Sequence, residues 1–537
     1  MATPDQVTSR PARAGGSGAA LVGAGMLISK MVGFARDAVI AHVLGTTVAA
    51  DALRSALRIP NLLQNLFGEG ALSAAFIPVY ARLRTEGRDA DAVRVAGAVF
   101  TLLALSSSVI VLAGVVWSEA LVALLTPGFP AEKRALTATL VRIMFPGVGL
   151  LVLSAWCLGV LNSHRRFFLS YVSPVVWNAA IIGAVLFGPR AGLEDAARLV
   201  AWGALVGSAL QFLVQLPAVS SLVRGITLRP SLADASVRTV VRNFVPALMS
   251  RGVLQVSSFV DLQFATMLTS GAVAALGLAQ GITLLPISLF GSAITAAALP
   301  AMSSVSGEMA ARHEALRTRL GANQRRIAFF LVPSAAAFVA IGDALAAALY
   351  RSGRFSAADA TWLWIILSGA ALGLLAAGLA RLYSSAFFAL QDTRTPLRFA
   401  IVRVVLGIML AYLLGVRASA WLGIDARWGA AGLTLASGIA GWTEFALLRH
   451  ALQARIGALP AMAALQVRLW GAALLAAAMT WAVRLPWLGA RGVPRRHEAL
   501  ALMAIFAVSY GAVTLLARVP EAVDAWARIR RLAPRIR

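Results

Sequence analysis

Long apolar runs constrain this chain more than anything else in it. A helix needs roughly 20 predominantly apolar residues to cross a bilayer, and stretches of that kind recur along the whole sequence. They place fourteen spans near 17–44, 48–80, 92–117, 135–161, 167–188, 197–222, 240–269, 272–302, 325–350, 360–389, 397–416, 428–450, 465–485 and 498–517. With 59% hydrophobic residues over 537 positions and a mean hydropathy of +0.79, the chain has too little polar surface for a soluble protein of its size. The expected fold class is all-α: a polytopic membrane protein with about 14 transmembrane helices.

Loop charge gives an expected orientation. Loops after the even-numbered spans, with both termini, carry about 29 basic residues against about 12 on the other side. Both termini are therefore expected to be cytoplasmic. The net charge of +25 does not indicate nucleic acid, because the arginines are scattered through short loops. Residues 62–78 (LLQNLFGEGALSAAFIP) resemble residues 284–300 (LLPISLFGSAITAAALP); both contain LFG, AA and a closing proline. Each falls in the second helix of a six-helix set, which suggests two pseudo-symmetric six-helix lobes and two C-terminal helices. The expected division is a disordered N-terminus at 1–16, an N-lobe at 17–225, a C-lobe at 238–450, spans 13 and 14 at 460–517, and a basic interfacial tail at 518–537. Pro60 and Pro286 are expected to break the second and eighth spans, and a break inside a membrane needs protein or water to satisfy the freed backbone.

Charges inside the early spans point to function. Lys30, Arg36, Asp37, Asp51, Arg54, Arg58 and Glu69 all fall within the first two spans, with Arg251 in the seventh. Each charge near a bilayer centre costs about 2.5–3.5 kcal/mol on insertion scales, so such residues face a bundle interior or a wet cavity. The basic groups suit an anion, and the planar arginine fork suits a phosphate. Asp51, Arg54 and Arg58, spaced i, i+3, i+7, share a helix face, so Asp51 can pair with Arg54. Arg36 and Asp37 are adjacent and are expected to point in different directions. Lys30, Arg36, Arg54 and Arg58 converge if their helices pack together; the competing reading is that they sit at the membrane edge and snorkel. Asn61, Gln64 and Asn65 can bond a headgroup or satisfy the broken backbone. Glu69, between Gly68 and Gly70, reads as a hinge, a gate or half of an ion pair. Arg142 and Arg381 are expected to be structural, and Asp261 is a candidate ion site.

Enzyme signatures are missing. Cys157 is the only cysteine, and the five histidines lack metal-ligand spacing. There is no Gly-rich loop ending in Gly-Lys-Ser/Thr and no loop large enough for a catalytic domain. No cofactor is implied, and the first residues lack a removable signal peptide.

The runs SKMVGFARDAVIAHVLG (29–45) and ADALRSALRIPNLLQNLFGEGALSAAFIPV (50–79) resemble the signature of the lipid II flippase family, the MurJ or MviN proteins. That family belongs to the superfamily of multidrug, oligosaccharidyl-lipid and polysaccharide exporters. The likeness continues through SPVVWN (173–178), SGAVAALGLAQGITLLP (270–286), RSGRFSAADA (351–360) and FFALQDTRTPLRFA (387–400). It implies two six-helix lobes around a cationic cavity, two further helices forming a groove for a polyprenyl tail, and rocking between inward- and outward-facing states. It implies that the substrate is lipid II, undecaprenyl-diphosphate bearing the peptidoglycan disaccharide-pentapeptide.

By matched position, Arg36 holds a family cavity arginine, and Lys30 stands where the family usually has arginine. Asp37, Asp51, Asn61 and Glu69 match motif positions, and Arg58 matches one that can be basic. Gln64 and Gly281 stand where arginines are common, and Gln280 and Leu284 replace polar neighbours. Arg54 and Arg251 lie where the family is usually uncharged and can compensate. The expected function is thus a flippase, not an enzyme, with Lys30, Arg36, Arg58, Arg54, Asn61 and Arg251 binding substrate and Asp37, Asp51 and Glu69 gating or ion-paired. Membrane lipids and cell-wall synthesis proteins are the further expected partners. The alternatives are an exporter of another lipid-linked oligosaccharide or polysaccharide precursor, and a transport-inactive scaffold for cell-wall synthesis.

Overall fold

A computed structural model describes residues 15–532 except 66–70, 189–191, 232, 293, 296–297, 299–301, 303–308, 460–461 and 489–491. Among the described residues there are eighteen α-helices, two π-helical segments and no strands. In chain order they are α1 (Gly15–Leu44), α2 (Val48–Asn65), α3 (Ala71–Thr85), α4 (Asp89–Val116), α5 (Ser118–Leu125), α6 (Ala131–Ser163), α7 (Phe167–Phe187), α8 (Leu193–Leu222), α9 (Ala235–Thr266) and α10 (Ala272–Pro286). After a π segment (Ile287–Ser292) come α11 (Met309–Tyr350), α12 (Ala357–Ala389) and α13 (Arg394–Leu410), then a second π segment (Ala411–Arg417). The chain ends with α14 (Ala418–Leu422), α15 (Trp428–Ile456), α16 (Ala463–Leu488), α17 (Arg496–Leu516) and α18 (Pro520–Leu532).

Eleven helical stretches among the described residues are long and apolar enough to cross a membrane, from Asp89–Val116 to Arg496–Leu516. The protein is an integral, multi-pass membrane protein. Of the fourteen expected spans, the three outside this set correspond to α1, α2 with α3, and α9. These helices carry Lys30, Arg36, Asp37, Asp51, Arg54, Arg58, Arg251 and Asp261.

Two expected breaks take a different form. α2 stays helical through Pro60 as far as Asn65. Glu69 lies outside the described residues. At Pro286 the interruption is a π segment rather than a gap; the wider turn absorbs the lost proline hydrogen bond without ending the helix.

The chain forms two compact units. The first comprises Met1–Ile40, Ser55–Leu124 and Glu132–Val256; the second comprises Ala41–Arg54, Leu125–Ala131 and Ser257–Arg537. In the first, α7 and α8 pack face to face. Gly203 and Gly207 allow it, since a β-carbon at Gly207 would lie 2.8 Å from the Trp177 carbonyl oxygen. Helices in lipid associate through such small-residue contacts and through side-chain hydrogen bonds. Here Gln215 on α8 donates to Ser154 Oγ on α6 (2.6 Å) and Ser173 Oγ on α7 (3.0 Å), all three buried.

In the second unit, α12 packs along both α11 and α15. A β-carbon at Gly373 would lie 2.8 Å from the Gly438 backbone, so α12 and α15 cross at bare glycines. α12 starts with a reciprocal cap: Asp359 N–H donates to Ser356 Oγ (3.2 Å) and Ser356 N–H donates to Asp359 Oδ2 (2.8 Å). α16 is fixed to α11 by a buried ion pair, Arg484 Nη1 donating to Asp343 Oδ1 at 2.9 Å. The tail helix α18 leaves Val523 and Trp526 exposed and ties Glu521 to Arg325 on α11 at 3.2 Å.

Candidate functional site

Arg36 lies on α1 in the first unit, and the structure surrounds it with partners. Its Nη2 and Nε donate to Asp37 Oδ1 at 2.8 and 3.1 Å, and its Nη1 donates to Asn178 Oδ1 at 3.0 Å. The guanidinium sits over the Trp177 ring, 5.2 Å from the centroid. Both supports are themselves fixed: Asn178 Nδ2 donates to Pro174 O (2.9 Å), and Trp177 Nε1 donates to Ala204 O (3.0 Å).

The expectation that Arg36 and Asp37 diverge is therefore wrong. Adjacent β-carbons leave a helix about 100° apart, but an arginine is long enough to curl back to its neighbour. The pair is shielded, with side chains 18% and 14% exposed. Among the described residues, three of the five guanidinium N–H donors are engaged. Charge spacing did not point to Trp177 and Asn178. The signal for them was the SPVVWN run, which puts an amide in an apolar helix.

A second set of contacts lies in the second unit. Asp51, on α2, is fully buried; its Oδ2 accepts the Gly271 N–H (2.6 Å) and its Oδ1 accepts the Ala274 N–H (2.8 Å). Those amides belong to the N-cap and third residue of α10, and a helix start has no internal acceptors for them. Gly271, the cap residue, has φ +91° and no side chain to supply one. Asp51 does the capping from elsewhere in the chain, and its charge suits the positive end of the helix dipole. Around it, Arg354 N–H donates to His42 O at 2.8 Å, and Thr46 Oγ1 donates to Asp359. Gly45 (φ +57°) and Gly353 (φ +55°) permit this approach: a β-carbon on Gly45 would lie 2.9 Å from Arg354 O, and one on Gly353 would run into His42 O.

The remaining predicted residues are more dispersed. Lys30 is exposed on α1, about 9 Å along the axis from Arg36 and on a different face. Arg58 is half-buried on α2 in the first unit. Arg54 belongs to the second unit, where its Cδ would lie 3.3 Å from a β-carbon on Gly277 of α10. Asn61 is exposed. Gln64 and Arg251 lie on helices α2 and α9, but their side chains are outside the description. Asp261 lines a cavity of about 20 Å³ with Arg403 and Ser437, and Arg403 Nε lies 3.1 Å from Glu444. Among the described residues no cluster of three His, Cys, Asp or Glu side chains is placed to hold a metal ion. Arg142 bonds Ser118 (2.8 Å) and Glu119 (2.6 Å), which accords with a structural role.

The second unit also holds an apolar groove of about 320 Å³. Phe290, Phe329, Phe330, Phe506 and Tyr510 are among the residues that line it, drawn from the first π segment, α11 and α17. Phe290 and Phe330 stack with centroids 4.1 Å apart.

A family model described as lipid II flippase MurJ matches residues 40–491. The chain belongs to the MurJ family. The lipid II flippase MurJ of Burkholderia cenocepacia is 32% identical over 499 residues, covering 90% of this chain and 94% of that protein. A probable lipid II flippase MurJ of Rhizobium meliloti is 30% identical over 519 residues, covering 92% and 93%. Among solved structures, a lipid II flippase MurJ in an inward closed conformation superposes with a TM-score of 0.77 at 21% identity, covering 93% of this chain and 99% of that one. An inward-facing multidrug resistance transporter of the MATE family, in the MOP superfamily, gives 0.64 at 17% identity over 81% and 98%. At those identities the likeness shows the fold. With these relatives, the family is one of transporters rather than enzymes.

Proposed function

We propose that this protein is a flippase for lipid II, moving the polyprenyl-diphosphate-linked peptidoglycan precursor across a bacterial inner membrane by alternating access, with both termini in the cytoplasm. The observation that carries the proposal is Arg36. A guanidinium on α1 is braced by Asp37, Asn178 and Trp177, and among the described residues two of its N–H donors are left for a phosphate. Lys30 and Arg58 supply further positive charge, and Arg54, Asn61 and Arg251 are the second rank of headgroup contacts. Asp37 holds Arg36 until a diphosphate competes for it. Asp51 and its glycine-turn neighbours latch the α1–α2 connection to the start of α10, and Glu69 takes part in gating. The groove at Phe290 and Phe506 accommodates the prenyl tail, and the delivered precursor passes to cell-wall synthesis proteins.

Growth of a flippase-depleted bacterium carrying the Arg36→Ala variant tests this directly. The variant is expected to accumulate to normal levels in the membrane and fail to restore growth. Full growth would remove Arg36 from the transport mechanism.

A further inference from the structure

Arg381 is expected from its sequence context to be structural, yet its surroundings are not those of a structural arginine. It lies on the membrane-spanning α12, eight residues and about 12 Å before the helix ends. Its side chain is exposed, and its Nη1 donates to Ser292 Oγ at 2.7 Å. Other arginines on spanning helices of this unit have carboxylates, among them Arg403 with Glu444 at 3.1 Å and Arg484 with Asp343 at 2.9 Å, while Arg417 donates to Tyr412 Oη. Arg381 has none within 4 Å among the described residues, and its charged neighbour is Arg403, of like sign. A charge that a spanning helix retains without compensation marks a functional position.

The local backbone is built to present it. Ser292 is the last described residue of the first π segment, and such segments are frequent at functional sites. The segment approaches α12 closely, since a β-carbon on Gly291 would lie 3.4 Å from Gly378 Cα. Ser292 uses one of five guanidinium N–H donors, and the other four can make the bidentate bonds a phosphate accepts. Arg403, itself paired with Glu444, brings no carboxylate of its own to Arg381. Two residues before Ser292, Phe290 lines the apolar groove. One six-residue segment thus contacts a cationic group on one face and an apolar groove on another, so a ligand with a phosphorylated head at Arg381 reaches the groove by passing its hydrocarbon tail around the segment.

We propose that Arg381, positioned by Ser292, is a phosphate contact of the second unit that takes the diphosphate of a polyprenyl ligand whose tail enters the groove at Phe290. The proposal rests on the flippase reading and adds a contact to it. It is tested on the full chain in nanodiscs by measuring binding of undecaprenyl diphosphate, undecaprenol and phosphatidylglycerol. Arg381→Gln is expected to weaken undecaprenyl diphosphate binding about tenfold or more, as the loss of charged hydrogen bonds requires. Undecaprenol and phosphatidylglycerol binding stay within about twofold. Arg381→Lys keeps the charge but not the fork, and Ser292→Ala releases the guanidinium; each is expected to lose about threefold. Unchanged diphosphate binding in Arg381→Gln overturns the proposal while leaving the flippase reading intact. Equal loss for phosphatidylglycerol makes Arg381 a general lipid anchor and also overturns it. A wild-type protein that does not prefer the diphosphate over undecaprenol overturns both. Should Arg381→Gln not fold, Ser292→Ala decides, and unchanged diphosphate binding there counts against the proposal.

Discussion

Removing the Asp51 carboxylate should unfasten the start of α10. In Asp51→Ala the Gly271 and Ala274 amides lose acceptors now at 2.6 and 2.8 Å. A buried donor left unsatisfied costs about 1–3 kcal/mol, and loss of a charge at a helix N-terminus costs about 0.3–1 kcal/mol. Water entering the vacated space offsets part of this, so a net local loss of about 2–4 kcal/mol is expected. Since each 1.4 kcal/mol is tenfold, amide exchange in a peptide covering 271–275 should speed up roughly 30- to 700-fold. Hydrogen–deuterium exchange with mass spectrometry reads this on the intact chain. The first turn of α12 is the internal control, because Ser356 and Asp359 cap it from within the same helix. Asp51→Asn retains one acceptor oxygen and should fall between the two. Exchange at 271–275 within about threefold of wild type in the alanine variant would refute the argument that Asp51 supplies this cap.

Three further outcomes follow from the same geometry. Gly353→Ala should lower the melting temperature more than Gly423→Ala: both glycines have positive φ, but only at Gly353 does a β-carbon meet another segment, at His42 O. Burial, then Arg84 and Arg166, hold the His164 imidazole below its usual range, so the folded state binds its proton less readily than the unfolded chain. The stability this gives is complete above about pH 6.5 and lost as pH falls through that ordinary value towards the lowered one. Thermal unfolding at pH 7.5 and pH 5 should show the drop, and His164→Gln should flatten it. Asp343→Asn strands the buried Arg484 and should cost about 3–5 kcal/mol in denaturant unfolding, whereas Asp343→Leu combined with Arg484→Met should recover most of the loss.

The spans were legible because lipid permits few solutions. A segment such as 135–161, apolar apart from Arg142 and a few hydroxyl residues, reads as a buried or membrane helix, and α6 covers it with a few residues added at each end. Interruptions were less legible: a proline marks stress on a helix, but whether the backbone ends, kinks or widens depends on neighbours. Hence Pro60 stays within a helix and Pro286 leads into a π segment. At the candidate site, residue type was readable and pairing was not. Arg36 stands out in an apolar helix, but Trp177 and Asn178 come from a helix about 140 residues away. Asp51 also caps a helix more than 200 residues on, which was not legible, because that contact is to backbone and backbone leaves no signature in composition. For Arg381, sequence shows that a charge exists and not whether a carboxylate answers it; among the described residues its bonded partner is Ser292.

The charge-bearing helices α1 to α3 also have a bearing on biogenesis. They emerge from the ribosome before α4, the first stretch among the described residues that is long and apolar enough to cross a membrane. Three charges on α1, at about 2.5–3.5 kcal/mol each, weigh against its release from the translocon, and the Asn178 that braces Arg36 is synthesised some 140 residues later. The bracing of Arg36 is therefore complete only after α7 has been made, so the charge on α1 meets the bilayer before its partner exists.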